Sequence, residues 1–253
     1  MTTRAVSQVG NSKKKMKGTL IMKRASIIAT MAWLMAVAAT LQSCDNDDDY
    51  YYYHEYNHPT AIVTVKPNAD NSSFYLQLDD TATLIPMNMR VSPFGRKEVR
   101  ALVNYVPAYG PAGMEGSPVA VSWIDSVLTK PTATDLAAGN GAAYGDDPVE
   151  IVDSWETVAE DGYLTLRFRT RWAAGVTHRI NLVHRADADT TYLLQLYHDA
   201  GADPYKGQVA DDIVAFRLGE EFNRPDTAIT LTLKWNSYSG PKTHTFKYRP
   251  RKD

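Results

Sequence analysis

From Thr227 to Trp235 large apolar and polar side chains alternate: Ile229, Leu231, Leu233 and Trp235 fall on one face, Thr230, Thr232 and Lys234 on the other. A period of two belongs to a strand with one face in a core and the other in water, and a helix cannot satisfy it. Leu164, Leu166 and Phe168 against Thr165, Arg167 and Arg169 repeat the pattern inside Tyr163–Arg169. Five more short runs surround these two: Val149–Trp155, Thr177–His184, Thr191–Tyr197, Ile213–Arg217 and Thr243–Tyr248. Seven such runs with no long stretch of helical period predict an antiparallel β-sandwich over residues 149–253.

The preceding part is β-rich too, but its runs are shorter: Ala61–Lys66, Phe74–Leu78, Thr83–Met87, Val99–Val106 and Val119–Leu128. Between them stand Pro67-Asn68, Asp79-Asp80, Ser92-Pro93-Phe94-Gly95 and Gly110-Pro111, residues that set or permit the dihedrals of turns. Five strands within residues 60–130 predict a small barrel, so the fold class is all-β. In the fifth, Val119, Val121 and Trp123 share a face that Ile124 and Leu128 do not follow, which predicts a β-bulge near Trp123. Residues 131–148 are rich in Gly, Ala, Asn and Asp, with Leu136 and Tyr144 the only large apolar side chains, and are predicted to be a linker.

The single cysteine, Cys44, decides where this β protein works. Before it come Met22-Lys23-Arg24, an apolar run over Ala25–Ala39 and Leu41-Gln42-Ser43; after it comes Asp45-Asn46-Asp47-Asp48-Asp49. A charged n-region, an apolar h-region and a small residue at the cleavage point make a secretory signal. Here cleavage abuts a cysteine, and Leu-Gln-Ser-Cys looks like a bacterial lipobox. Residues 1–43 are then a signal peptide, with Met22 its natural start, and Cys44 is the lipidation site. The apolar run falls short of the roughly 20 residues of a transmembrane helix. Residues 44–59 hold five acidic residues, five tyrosines and almost no aliphatics, and are predicted to be a flexible tether. The acidic run after the cysteine resembles the export tether of surface lipoproteins in some Gram-negative bacteria, although elsewhere an Asp after the cysteine marks inner-membrane retention. The expected location is the outer membrane, lipid-anchored, on the cell surface, with the periplasmic face as the alternative.

Charge narrows the partners. Seven of the 27 basic residues and none of the 29 acidic ones precede Cys44, so the mature chain carries 20 against 29, a net of −9. Nucleic-acid binding needs a basic face that releases counterions, and this chain is expected to bind none. With its one thiol acylated the mature protein has no disulfide, so its stability comes from burial.

The order of the lipobox, Arg100-Ala101-Leu102-Val103-Asn104-Tyr105, Val127-Leu128-Thr129-Lys130-Pro131, Asp146-Asp147-Pro148-Val149 and Arg179-Ile180-Asn181-Leu182-Val183 resembles the NigD-like lipoproteins. The resemblance covers essentially everything after Met22. It implies an N-terminal OB-type barrel followed by a C-terminal β-sandwich. It also implies a link to bacteriocin immunity, the role proposed for the protein that gave the family its name. No catalytic residues come with it.

Motifs for chemistry are few. His54-Glu55-Tyr56-Asn57-His58 spells the zincin His-Glu-x-x-His. It lies in the predicted tether and is closed by Pro59, which biases His58 away from helix, so no zinc is expected. His178, His184, His198 and His244 fall on or near predicted strands without the spacing of a known metal site, and are expected at sheet edges or on the surface. Asp153 with Glu156, and Glu220 with Glu221, are acidic pairs that a glycosidase would place about 5–9 Å apart across a cleft; on strand ends such pairs are usually solvated. Asp80-Thr81-Ala82, Asp125-Ser126-Val127 and Asp226-Thr227-Ala228 resemble a short O-glycosylation sequon. Trp155, Trp235, Phe168 and Tyr248 are assigned to cores, while Tyr75, Tyr109, Tyr144 and Tyr205 lie near turns and could face a sugar or a protein. The expected function is therefore non-enzymatic: a lipoprotein without cofactor or metal that binds a protein such as a bacteriocin. The alternatives are a glycan-binding accessory and, less favoured, a metal-dependent hydrolase.

Overall fold

The computed structural model describes residues 61–185, 192–224 and 226–251. β1 (Ala61–Pro67), β2 (Phe74–Gln77), β3 (Thr83–Pro86), β4 (Val99–Pro107) and β5 (Ser117–Ser126) close into a barrel in the order β1-β2-β3-β5-β4. β4 pairs back on β1, Ala61 opposite Val103, and β3 runs parallel to β5, Leu84 opposite Ser117. This is the five-stranded Greek-key barrel of OB folds. Alternation places Val63, Val65, Phe74, Leu76, Leu84, Ala101, Val103, Val119 and Val121 in its core. The predicted bulge is present: Asn104 faces Trp123 while Tyr105 faces Val121, skipping Ser122, which moves the later residues out of phase.

The rest of the chain supplies β6 (Leu128–Pro131), α1 (Asn140–Tyr144), β7 (Glu150–Ile151), β8 (Val158–Glu160), β9 (Tyr163–Trp172), β10 (Arg179–Arg185), β11 (Leu193–Asp199), β12 (Gln208–Arg217), α2 (Glu220–Asn223), β13 (Ile229–Ser237) and β14 (Gly240–Tyr248). One sheet runs β10-β11-β13-β14. The other runs β6-β12-β9-β7, with β8 also on β9. Their inner faces meet in a core that includes Leu164, Leu166, Phe168, Leu182, Leu194, Phe216, Leu231, Leu233, Trp235 and Tyr248. The two strongly alternating runs lie in a sandwich, as their patterning predicts, and fall on its opposite sheets. Its pairings are antiparallel except β11 with β13 and β6 with β12.

Four local expectations are corrected. The fifth barrel strand ends at Ser126, and Leu128 opens β6 on the sandwich, beside Val214 of β12. The run Val149–Trp155 is not one strand: Val152 still donates its N–H to the Arg167 carbonyl of β9, and a turn closed by the Thr157 N–H on the Ser154 carbonyl then carries the chain away. Trp155, assigned to the core, is half exposed at 50%. The chain then returns as β8, and β12 begins five residues before the predicted Ile213, at Gln208. Its early residues are mostly exposed, and pairing with β9 holds them: Asp211 stands opposite Arg169 and accepts hydrogen bonds from both Arg169 and Arg167.

Residues 131–148, predicted as a linker, lie against the sandwich through polar contacts. The Ala133 N–H donates to the Leu182 carbonyl, the Asp147 N–H donates to the His198 carbonyl, and the Asp147 carboxylate accepts from the Ala200 N–H, while within the segment the buried Asn140 side chain donates to Asp135 and accepts from the Leu136 N–H. A segment held by hydrogen bonds carries no apolar period, which is why its composition looks like a linker. The outer face of β9 also departs from expectation. Tyr163 and Thr165 there are fully buried, as is Ala215 of β12, because the barrel docks on that face around Val127 and Leu102.

Candidate functional site

Three strands bring the barrel's polar side chains to the sandwich. Arg100 of β4 points outward from the barrel, yet it is completely buried. Its guanidinium donates to Thr64 Oγ1 at 3.0 Å and to Glu160 Oε1 at 2.8 Å, and lies 5.6 Å from the centre of the Tyr163 ring. Burial pushes the Glu160 carboxyl above its ordinary value even against the pull of Arg100. Glu98 accepts two hydrogen bonds from Arg251, at 2.7 and 2.9 Å, and one from the Tyr163 hydroxyl at 2.7 Å. Burial would raise Glu98, but these three donors outweigh it and hold the carboxyl below the usual range.

Beside this seam lies a groove of about 690 Å³, one wall from the barrel and one from the sandwich. On β2, Phe74 and Leu76 turn into the barrel, so Tyr75 and Gln77 face the groove. Asp79 ties the next turn by accepting from the Thr81 and Ala82 N–H groups, which leaves Asp80 pointing across to the sandwich. Asp80 Oδ1 accepts the Asp161 N–H at 3.2 Å, and burial pushes this carboxyl up. The opposite wall is the segment that leads into β13, with Asp226 and Thr227, and the one that follows β14, Arg249 to Arg251.

Asp161 stands between the walls. Glu160 and Tyr163 flank a two-residue hairpin turn whose central residues, Asp161 and Gly162, both take positive φ (45° and 84°). That is the demand of a type I′ turn, and Asp-Gly is its favoured sequence. The turn carries the Asp161 carboxylate out to β1, where Lys66 Nζ donates to Oδ1 at 2.6 Å and Arg251 Nε stands 3.8 Å away. The side chain is 6% exposed, and its Oδ2 has no hydrogen-bond partner among the described residues. Asp161 escaped sequence reasoning, although the signal was there: Asp-Gly immediately before an alternating run.

Two family descriptions match this chain in tandem: the NigD-like N-terminal OB domain over residues 62–127 and the NigD-like C-terminal beta sandwich domain over residues 131–248. The chain belongs to the NigD-like family. Among solved structures it resembles a protein from Parabacteroides distasonis described as toxin-related, with 30% identity over 75% of this chain and 92% of that one, at a TM-score of 0.61. A NigD-like immunity protein from Bacteroides caccae shares the fold at 22% identity, 75% and 96% coverage and a TM-score of 0.53. So does a protein from Bacteroides fragilis described as a lipoprotein, at 14% identity, 76% and 98% coverage and a TM-score of 0.50. No curated protein matches.

The remaining sequence candidates scatter over this NigD-like scaffold. Cys44 and the His54-Glu55-x-x-His58 motif lie outside the described residues. His178 and His198 meet, with His178 Nδ1 2.9 Å from His198 Nε2, and His198 Nδ1 reaches the Pro148 carbonyl at 3.2 Å. His198 is not at a surface or a sheet edge but buried in β11, between β10 and β13, and burial lowers both imidazoles below their ordinary value. Neutral rings suit this chain of hydrogen bonds, which ties the segment before β7 to β11. Among the described residues no group of three or more His, Asp or Glu is placed to hold a metal. His184 stands 3.1 Å from Glu221, and Glu220 pairs loosely with Arg224. Glu156 is largely buried against Arg167, so it does not form the solvated pair with Asp153 suggested by their spacing. Of the turn tyrosines, Tyr75 lines the groove, Tyr109 is fully exposed, Tyr144 donates to the Thr134 carbonyl, and Tyr205 stands edge-on to Tyr238.

Proposed function

We propose that this NigD-like chain is a non-enzymatic lipoprotein, anchored through Cys44 to the outer membrane and facing outward, that acts by binding in an immunity-type role against a bacteriocin. The lipobox and acidic tether support the anchor, and family membership supports the role. The observation that carries the binding reading is the groove: a preformed polar concavity walled by both domains. Its central carboxylate is held in place by Lys66 at 2.6 Å.

The test is protection. The chain is expressed in a bacteriocin-sensitive host beside Cys44→Ala and a Tyr75→Ala/Asp226→Asn groove variant. Wild type is expected to raise survival and to incorporate labelled fatty acid. Cys44→Ala should lose both, and the groove variant should keep the label but lose protection. Equal label on wild type and Cys44→Ala would remove the anchor. Full protection by the groove variant would remove the groove, and no protection by wild type would remove the immunity role.

A further inference from the structure

We propose that the groove binds a neutral, hydroxyl-rich carbohydrate. This rests on reading the groove as the binding site, and it names the ligand chemistry. The walls carry three acidic side chains, Asp80, Asp161 and Asp226, and three basic ones, Lys66, Arg249 and Arg251. A charged ligand therefore meets as much repulsion as attraction, and a polyanion is disfavoured further by the mature chain's net charge of −9, from 20 basic and 29 acidic residues. A lysine or arginine side chain would approach Asp161 against two cations already there, Lys66 at 2.6 Å and Arg251 at 3.8 Å.

What Asp161 lacks is a neutral donor. A buried acceptor without a donor costs about 1–3 kcal/mol, which a ligand hydroxyl would relieve. The carboxylate is preorganised for this, fixed by the type I′ turn, by the Asp80 contact to its N–H and by Lys66 on Oδ1. A sugar hydroxyl both donates and accepts, matching carboxylates that stand next to arginine and lysine. Tyr75 adds a flat apolar surface, 38% exposed on the outer side of β2, for the C–H face of a sugar ring. Burial and Asp161 together raise its phenol, so it remains a neutral donor at physiological pH. An extended peptide, by contrast, docks by adding to an open sheet edge. The barrel wall, where Tyr75 stands, offers no such edge: the barrel is closed, and β2 pairs with β1 on one side and β3 on the other, whereas on the sandwich wall β14 ends its sheet. The volume lies within the usual range for small-ligand sites, and the face of strands 2 and 3 is where OB barrels hold oligosaccharides.

The test uses the full chain, purified in detergent and titrated calorimetrically with neutral mannohexaose and cellohexaose, an acidic oligogalacturonate and a basic chitosan hexamer. Polysaccharide extracted from host envelopes is a separate arm that distinguishes an envelope source from a free glycan. Saturable binding of a neutral oligosaccharide or of neutral envelope polysaccharide is expected, weakened about tenfold or more, or about 1.4 kcal/mol, by Tyr75→Ala and by Asp161→Asn. Asn-Gly also favours a type I′ turn, so Asp161→Asn keeps the hairpin, and unchanged thermal unfolding of Tyr75→Ala checks the other variant. Binding confined to charged oligomers or to an unglycosylated protein, no binding at all, or neutral binding indifferent to both substitutions would each overturn the proposal. Loss of protection in groove variants without any sugar binding would leave the groove as the functional site. Sugar binding with protection intact in those variants would sink the immunity reading instead.

Discussion

The sandwich core and the seam between barrel and sandwich are both packed contacts, but they are built from opposite materials, and only the centre of the seam, at Arg100, is as dry as the core. Among the described residues eighteen buried hydrophobic side chains fill the core between the sheets, Leu231 and Leu233 among them. At the seam the apolar cluster among the described residues is small, Val127, Tyr163 and Ala215 with Leu102 and Ile213 against it, and much of the contact is polar: Arg100 with Glu160, Lys66 with Asp161, and Glu98 with Arg251 and Tyr163. Apolar burial is non-directional and tolerates repacking. Buried ion pairs gain little over an apolar contact of the same shape, yet they penalise any misplacement. The core thus makes the sandwich stable, while the seam fixes where the barrel sits and hence the shape of the groove.

Truncating each material separates them most sharply. Arg100→Ala leaves Glu160 buried beside an empty space and is expected to cost about 3–5 kcal/mol. Leu233→Ala is expected to cost a similar 2–5 kcal/mol through lost burial and a cavity. The two should part under rescue: Arg100→Leu with Glu160→Leu should return most of the stability, because the seam then resembles the core. Acidification should also shrink the Arg100→Ala loss, since burial already raises Glu160 and a protonated carboxyl tolerates isolation better. Chemical denaturation of wild type and the three variants at two pH values measures this. A double variant no more stable than Arg100→Ala would show that the seam depends on charge itself.

The same contrast sets how much could be read in advance. β9 and β13 are legible because a one-sided core imposes a period of two on a long strand. The seam left no such trace. Arg100 sits in an ordinary strand sequence, and its burial depends on a partner 60 residues away. Thr165 alternates as though wet and is fully buried, because the barrel covers it. Of the groove, Tyr75 stands out in the sequence by its place near a turn, whereas Asp161, Lys66 and Arg251 are joined only by tertiary contact, across 95 residues of sequence between Lys66 and Asp161.

A smaller effect lies where the core carries a polar tip. Tyr248 is fully buried, and burial pushes its phenol from 10.0 up to about 12. The fold keeps a proton that the unfolded chain gives up above its ordinary pKa, so stability should fall as pH rises from about 10 to about 12, by about 3 kcal/mol in all. Tyr163 at the seam shifts the same way. Thermal unfolding in this alkaline window should show the decline, and Tyr248→Phe should flatten it even though it loses the hydrogen bond to Asn223. An unchanged slope in Tyr248→Phe would assign the decline to Tyr163, and so to the seam instead of the core.

The smallest effect tests whether charge pairing matters only where it is dry. On the wet side of the β9–β12 ladder Asp211 faces Arg169 in register and accepts from Arg169 and Arg167, the Arg169 hydrogen bond first among the causes that hold its carboxyl below the usual range. Arg169 is 48% exposed and Asp211 20%, so water and salt screen the pair as they cannot screen Arg100. A double-mutant cycle of Arg169→Ala with Asp211→Asn should give a coupling of about 0.2–1 kcal/mol. Because the folded pKa is depressed, this contribution is present above the unfolded value and fades as pH falls. It should also vanish near 1 M salt, where the screening length is about 3 Å. A coupling above about 2 kcal/mol that survives such salt would mean that the open sheet face behaves as the seam does, and the difference between them would then lie in geometry rather than in exposure to water.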